Sequence, residues 1–81
     1  MTPPAPTDTR TVGAELDLVV NGRPRRAAAG TTVAGLLAAH GLQADLVVVE
    51  HNGAILPRAA LAITPLADGD ALEIVQFVGG G

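Results

Sequence analysis

The residues with the clearest chemistry lie at the C-terminal end, where Gly79, Gly80 and Gly81 follow an apolar segment directly. Because glycine has no Cβ atom, such a tail can extend into a channel too narrow for any side chain. The terminal carboxylate has a pKa of about 3.5 and is ionised at neutral pH. Its attack on the α-phosphate of ATP would give an acyl adenylate, and a sulfur nucleophile could then displace AMP to leave a thiocarboxylate.

That chemistry makes Gly81 the candidate reactive residue. Gly79 and Gly80 would form the extended segment that enters a partner. The chain has no Gly-x-x-x-x-Gly-Lys loop and no Lys at all, so the sequence offers no site for ATP. We therefore expect no cofactor to be bound by this chain, with ATP and Mg²⁺ used by an activating partner. Because there is no Cys, any sulfur would be carried on the C-terminus.

The side chains offer few groups for catalysis. The absence of Cys and Ser removes disulfides, thiolate nucleophiles and zinc–thiolate sites. Two His, at positions 40 and 51, are too few for a metal site without carboxylates, and we expect both to be structural or solvated. Asp68 and Asp70 flank Gly69, and a turn explains that pair. We predict that the chain is not an enzyme and holds no metal.

The composition of the chain limits which classes of partner and which cellular location we expect. With 81 residues, 48% of them hydrophobic, the chain forms one ordered domain at most. A net charge of −3 and a single aromatic residue argue against nucleic acid, and the cluster of Arg23, Arg25 and Arg26 is more typical of a solvated face. No apolar run approaches the roughly 20 residues that span a bilayer. The first ten residues do not resemble a signal peptide, so we expect a cytoplasmic protein.

Alternation and turn residues predict the elements of the first half. Residues 15–21 alternate as a half-buried strand, and Asn21-Gly22 is a hairpin signal. Residues 23–29 form a predicted edge strand, with Pro24 near its start. Thr32 is the predicted N-cap of a helix. Val33, Leu36, Leu37 and His40 share one helix face, and Gly41 with Leu42 closes its C-terminus. Close packing on the sheet is one possible reason for Gly35.

The second half is predicted as short strands joined by turns. We predict strands over 46–50, 54–57 and 71–78, a turn at Asn52-Gly53, and a strand or turn over 60–64. Residues 1–14 are a predicted disordered lead, residues 15–78 the folded domain and residues 79–81 a flexible tail. One helix cannot cover both faces of a sheet, so the fold class is α+β. We predict a β-grasp roll in which the first and last strands lie parallel at the centre of a mixed sheet.

The last strand also suggests a docking surface. Leu72 and Ile74 alternate with Glu73 and should face the helix, so Val75 and Phe77 should project to the opposite face. An exposed Val–Phe pair beside the tail, continued by Val78, is a candidate partner-docking patch. The alternative is that Phe77 merely covers the sheet edge.

Several motifs together resemble the ThiS family, the sulfur carriers of thiazole formation in thiamin biosynthesis. They are the Asn21-Gly22 hairpin, T-T-V-A-G-L-L at 31–37, V-V-V-E-H-N-G-A-I-L-P-R at 47–58 and, most specific, L-A-D-G-D-A-L-E-I-V-Q-F-V-G-G-G at 66–81. The resemblance implies a ubiquitin-like β-grasp fold. It also implies that an E1-like adenylyltransferase adenylates Gly81, that a sulfur donor such as a cysteine desulfurase supplies the sulfur, and that the thiocarboxylate serves thiazole synthase, a TIM-barrel enzyme.

Three alternatives stay open at this point. The small subunit of molybdopterin synthase shares the fold, the diglycine and the thiocarboxylate, but its final strand usually runs into a Pro-containing segment, where this chain has E-I-V-Q-F-V. A ubiquitin-like protein modifier and a plain interaction module are the other two. The absence of Lys excludes chains of such a modifier through its own lysines but not its conjugation to a target.

Overall fold

A computed structural model of the chain describes residues 14–77. The predictions for residues 1–13 of the N-terminal lead, for Val78 and for the three final glycines lie outside the described residues. The elements, in chain order, are β1 (Glu15–Val20), β2 (Arg23–Ala28), α1 (Val33–Ala39), β3 (Val47–His51), β4 (Ala54–Ile55) and β5 (Ala71–Gln76). Short 3₁₀ turns lie at Ala44–Leu46 and Arg58–Ala60.

The sheet has the strand order β2-β1-β5-β3-β4. The first and last strands pair in parallel, whereas β1 with β2, β3 with β5 and β3 with β4 pair antiparallel. This mixed sheet packed on one helix confirms the predicted α+β, β-grasp architecture. The parallel pairing covers only Val19 with Ala71 and Val20 with Leu72, so the second half of β5 runs past the end of β1.

Both predicted Asn-Gly turns are present. Asn21 and Gly22 have φ angles of 52° and 80°, and Asn52 and Gly53 have φ angles of 52° and 89°. Asparagine and glycine are the residues that tolerate this left-handed region, because other side chains clash with the backbone there. These turns therefore fix the register of the β1–β2 hairpin and the start of β4.

The helix is capped at both ends, as predicted. Thr32 Oγ1 accepts a hydrogen bond of 3.1 Å from the Gly35 N–H. At the other end the N–H groups of Gly41 and Leu42 donate to the carbonyls of Ala38 and Leu37, the pair of bonds that defines a Schellman motif. Gly41 has the positive φ of 72° that this motif requires.

One expectation for the helix was wrong, and the possible reason given for Gly35 does not hold. His40 does not share the buried face, because the helix ends at Ala39 and His40 is its exposed C-cap. Gly35 does not pack on the sheet and is exposed. A Cβ at Gly35 would lie 3.2 Å from Thr31 Cγ2 and 3.5 Å from Thr32 Oγ1. The small residue therefore leaves room for the capping turn itself.

The core lies between the helix and the inner face of the sheet. It consists of ten buried aliphatic residues: Leu18, Val20, Val33, Leu36, Leu37, Val47, Val49, Leu61, Leu66 and Leu72. Each such side chain contributes about 1.5–3 kcal/mol through burial. The predicted inward direction of Leu72 and Ile74 is confirmed, since Leu72 is buried and Ile74 packs against the core.

The segment over 58–66, which the sequence left undecided, closes the start of the helix. The carbonyls of Thr64 and Leu61 accept hydrogen bonds of 2.9 Å from the N–H groups of Val33 and Ala34. Together with the Thr32 cap, these bonds satisfy the first N–H groups, which have no partner within a helix. The predicted strand over 54–57 is only two residues long, because Pro57 lacks the N–H that would continue the ladder.

Candidate functional site

The three final glycines follow β5 in the sequence, and two asparagine side chains hold that strand. Asn21 Oδ1 accepts a hydrogen bond of 2.6 Å from the Ile74 N–H, and Asn21 Nδ2 donates to the Ile74 carbonyl at 3.2 Å. Asn52 Oδ1 accepts from the Ala71 N–H at 2.9 Å. The Asn21 amide thus replaces the neighbouring backbone that β5 lacks beyond the end of β1.

A buried carboxylate fixes the turn before β5. Asp70 is 7% exposed, and its oxygens contact His51 Nε2 at 2.7 Å, Asn52 Nδ2 at 3.0 Å and the Ala67 N–H at 2.8 Å. Burial by itself raises the pKa of the Asp70 carboxyl, but these hydrogen bonds outweigh it, and the pKa lies below its usual value.

These contacts give His51 and Asp70 structural roles, as the sequence indicated. Asp68 Oδ1 accepts a hydrogen bond of 2.7 Å from the Asp17 N–H and so ties the same turn to β1. His40 Nδ1 lies 2.9 Å from the Leu36 carbonyl at the helix end. Within residues 14–77, no three His, Asp or Glu residues lie close enough together to hold a metal ion.

An apolar patch lies on the outer face of the sheet, at the root of the tail. Val75 pairs directly with Val48 across β5 and β3, and the same register places Phe77 opposite Leu46, whose carbonyl accepts from the Phe77 N–H at 2.8 Å. Directly opposed residues share a face. Val75 and Phe77 are each 58% exposed and Leu46 is 40% exposed. We call Leu46, Val48, Val75 and Phe77 the tail-root patch.

Two of the four residues of this patch were predicted from the sequence. The predicted exposure of Val75 and Phe77 on the face away from the helix is confirmed, while Val78 and the glycines lie outside the described residues. Leu46 and Val48 were missed. The signal was available, because Val48 alternates with the buried Val47 and Val49 and must therefore face outward.

An acidic pair borders the tail-root patch. Glu50 and Glu73 lie directly opposite each other on β3 and β5, in the row next to Val48 and Val75. Both are exposed, and neither forms an ion pair with a described residue. Like charges in directly opposed positions destabilise a sheet, so this pair lowers the free energy of unfolding.

The described part of the chain contains no helix long and apolar enough to cross a bilayer. Its one α-helix has seven residues.

The sequence model of the ThiS family matches residues 18–81, which include the core, the tail-root patch and the three glycines. The chain belongs to the ThiS family. The sulfur carrier protein ThiS of Bacillus subtilis is 42% identical over 50 residues, which are 62% of this chain and 76% of that protein. That relative is named as a sulfur carrier protein.

Two thiazole synthases also match this ThiS-family chain. The protein of Paramagnetospirillum magneticum is 44% identical over 66 residues, and that of Magnetococcus marinus is 42% identical over 62 residues. These segments are 82% and 76% of this chain but 20% and 19% of the two synthases. The chain thus spans about a fifth of the length of these relatives.

Solved structures of the ThiS family have the same fold. The crystal structure of the thiamine biosynthesis protein ThiS from Geobacter metallireducens is 43% identical and has a TM-score of 0.69, with 82% of this chain and 100% of that chain covered. A solution structure of a thiamine biosynthesis protein from the same organism has a TM-score of 0.68 and covers 82% of this chain and 88% of that chain.

Proposed function

We propose that this chain carries sulfur as a thiocarboxylate on Gly81 for the thiazole ring of thiamin. An oxygen of the Gly81 carboxylate attacks the α-phosphate of ATP on an E1-like adenylyltransferase, and pyrophosphate leaves. A persulfide supplied by a donor such as a cysteine desulfurase then attacks the acyl carbon, and AMP leaves. A thiol cleaves the S–S bond of the resulting acyl disulfide, supplies the two electrons as it forms a disulfide with the donor, and releases the thiocarboxylate. The thiocarboxylate passes its sulfur to thiazole synthase.

The observation that carries the proposal is the extent of the family match. It runs to Gly81 itself, and the strand before the glycines, which ends at Gln76, carries part of the exposed tail-root patch. Glycine at three successive positions leaves the tail without side chains, so only the backbone and the final carboxylate enter a partner. The proposal requires that the Gly81 carboxylate is free in the protein.

The tail-root patch is the proposed docking surface. Val75 and Phe77, which lie just before the tail, are more than half exposed. Burying exposed apolar side chains of this size stabilises a complex. The acidic pair Glu50 and Glu73 at the border of the patch indicates that the partner presents Arg or Lys beside its own apolar surface. Val78, Gly79 and Gly80 would continue the contact into the partner.

The described side chains act in folding and in docking, and the proposed chemistry belongs to the partners. His51 and Asp70 face each other at 2.7 Å and hold the turn before β5. In this proposal ATP and Mg²⁺ are bound by the adenylyltransferase. The chain is then a protein substrate of its partners in the cytoplasm, where ATP is available.

The partial match to two thiazole synthases supports that enzyme as the acceptor. In these relatives a segment similar to this chain is about a fifth of a protein named thiazole synthase. A carrier domain and the enzyme that it serves gain from being in one polypeptide, because linkage raises their effective concentration. The tail-root patch is the surface proposed to contact that enzyme.

Complementation tests the proposed pathway. A thiamin-requiring strain that lacks its own ThiS should grow without thiamin when it expresses this chain, and a variant without Gly81 should not restore growth. A strain that lacks the small subunit of molybdopterin synthase should not be rescued. Rescue of the second strain and not of the first would overturn the thiamin assignment.

A further inference from the structure

A groove with only neutral and cationic residues lies on the helix side of the sheet, beside the root of the tail. It has a volume of about 370 Å³. Its walls are Arg23 and Arg25 of β2, His40 and Leu42 at the helix end, Val20 and Asn21 at the end of β1, and Ile74 and Gln76 of β5. On a chain with a net charge of −3, a groove without any acidic wall residue favours an anionic partner.

The two arginines of this basic groove occupy unusual positions. Arg25 pairs directly with the buried Leu18, and Arg23 with the buried Val20, so both lie on the sheet face that elsewhere forms the core. Both side chains are exposed, and neither makes a hydrogen bond or an ion pair with a described residue. Arg26, on the opposite face, is paired with Glu15 at 3.2 Å and with Asp17 at 3.0 Å.

The walls of this basic groove lack the free N–H groups of a typical site for a free phosphate. A small phosphate site usually has the N-terminus of a helix with its free N–H groups. Here the helix presents its C-terminal end, where His40 is the cap and the helix dipole is negative. The anion contacts must therefore come from the guanidinium groups of Arg23 and Arg25, which bind carboxylates and phosphates alike with two parallel hydrogen bonds.

The remaining walls suit the rest of a peptide. Val20, Leu42 and Ile74 supply apolar surface, and Asn21 and Gln76 supply amides that can bond to a backbone. Gln76 lines the groove, while the next residue, Phe77, belongs to the tail-root patch on the other face. A protein that grips the tail at this point meets the patch on one side and the basic groove on the other.

From these observations we propose that the basic groove binds an acidic, partly apolar peptide segment of the protein that takes up the tail. The identity of that protein rests on the proposed function, whereas the affinity of the groove for such a segment does not.

A titration followed by ¹H–¹⁵N NMR tests the groove without any partner enzyme. The probes are a hexaglutamate peptide, a hexaglutamine peptide and inorganic pyrophosphate, added to the full chain and to two double variants. Arg23→Gln with Arg25→Gln removes the groove charges, and Arg26→Gln with Arg58→Gln removes the same charge elsewhere. Each variant is first checked for a spectrum that matches the wild type away from the substituted positions.

The proposal predicts that hexaglutamate shifts the signals of Arg23, Arg25, His40 and Gln76. The groove variant should bind this peptide about tenfold more weakly, a loss of about 1.4 kcal/mol, and the control variant within about twofold of the wild type. Raising NaCl from about 50 to about 300 mM should weaken binding to the wild type, and hexaglutamine should cause no shifts.

Equal losses in the two double variants would overturn the proposal, because the charge effect would then be general. Pyrophosphate that binds the groove more tightly than hexaglutamate would also overturn it in favour of a phosphate site. Failure of the sulfur-carrier function is read separately, from the mass of the chain after activation, and leaves this titration unaffected.

Discussion

The side-chain amide of Asn21 bonds to both backbone groups of Ile74, accepting from its N–H at 2.6 Å and donating to its carbonyl at 3.2 Å. Asn21 belongs to the first hairpin, whereas Ile74 lies in the strand that leads to the tail. Since β1 ends at Val20, this amide extends the parallel ladder by one step. The Asn21-Gly22 turn therefore holds the strand that precedes the three glycines in the sequence.

Substitutions at Asn21 separate the turn from the strand contact. Asn21→Gly retains the positive φ and loses both hydrogen bonds, so we expect the free energy of unfolding to fall by about 1–2 kcal/mol. Asn21→Ala adds backbone strain of about 1 kcal/mol or more. Urea denaturation measures both values. In each variant the Ile74 amide should exchange its hydrogen faster than in the wild type, and unchanged exchange would show that the Asn21 amide does not hold β5.

The Asp70 carboxylate should make stability depend on pH. Its pKa is lowered in the folded chain, so its contribution is complete above the unfolded pKa of about 3.9. That contribution is lost as the pH falls through the folded pKa. Asp70→Asn should cost about 2–4 kcal/mol at pH 7, because the buried hydrogen bonds lose their charge. The difference in the free energy of unfolding between the variant and the wild type should become smaller at acid pH.

Urea denaturation of the wild type and Asp70→Asn at neutral and acid pH measures this difference. Asp45→Asn is the control, since Asp45 is exposed and its side chain makes no ion pair with a described residue. A difference between Asp70→Asn and the wild type that stays constant with pH would contradict the assigned role of the carboxylate.

Glu73→Gln, which removes the charge of this side chain, should stabilise the fold. Glu73 lies directly opposite Glu50, and relief of this like-charge contact should raise the free energy of unfolding by about 0.2–1 kcal/mol. The same change should weaken binding to a partner that presents Arg or Lys at this border. Thermal denaturation and calorimetric titration with the partner measure the two effects. A variant that is both less stable and equally well bound would refute this account of the acidic pair.

Phe77→Ala should affect binding more than folding. More than half of the side chain is exposed, so the expected stability loss is below about 1 kcal/mol. Affinity for the adenylyltransferase or for thiazole synthase should fall about tenfold. Ile63→Ala is the matched control, because Ile63 is 77% exposed and lies outside the tail-root patch. Equal affinities of the two variants would leave Phe77 as ordinary surface.

The sequence predicted the local features well because short-range chemistry determines them. The Asn-Gly turns, the Thr32 cap and the Gly41 terminus each depend on neighbours within a few residues. The order and direction of the central strands were also predicted, since one helix among several strands leaves few compact arrangements.

The missed features depend on contacts between distant parts of the chain. The hydrogen bonds between Asn21 and Ile74 join residues 53 positions apart, and a turn motif does not reveal them. The segment over 58–66 has no clear period because it serves the helix through its backbone carbonyls, at Leu61 and Thr64. His40 matched the helix period but falls one residue after the helix ends, where the Schellman motif turns the chain away.

The tail-root patch contains residues that the sequence predicted and residues that it did not predict. Strand alternation correctly placed Val75 and Phe77 on the outer face, but a pattern along one strand does not show which residues lie opposite. Leu46 and Val48 joined the patch only when the register of β3 with β5 was known. For the same reason, the basic groove could not be predicted from the arginines of β2 alone.

Deleting Gly81 should separate the fold from the reaction. The ten buried residues of the core all lie between Leu18 and Leu72, so the shortened chain should unfold at the same urea concentration as the full chain. Its modification by the adenylyltransferase should be lost, because the carboxylate would lie one residue too far from the reacting phosphate. A clear loss of stability on deletion would give the tail a structural role and contradict its proposed use.

The intact mass of the chain after activation tests the central claim most directly. The purified protein is incubated with its E1-like adenylyltransferase, MgATP and a sulfur donor, and a parallel sample omits ATP. We predict that the mass rises by the difference between one sulfur and one oxygen atom, that the change maps to Gly81, and that it requires ATP. An unchanged mass with an adenylyltransferase that modifies its own ThiS partner would contradict the proposal.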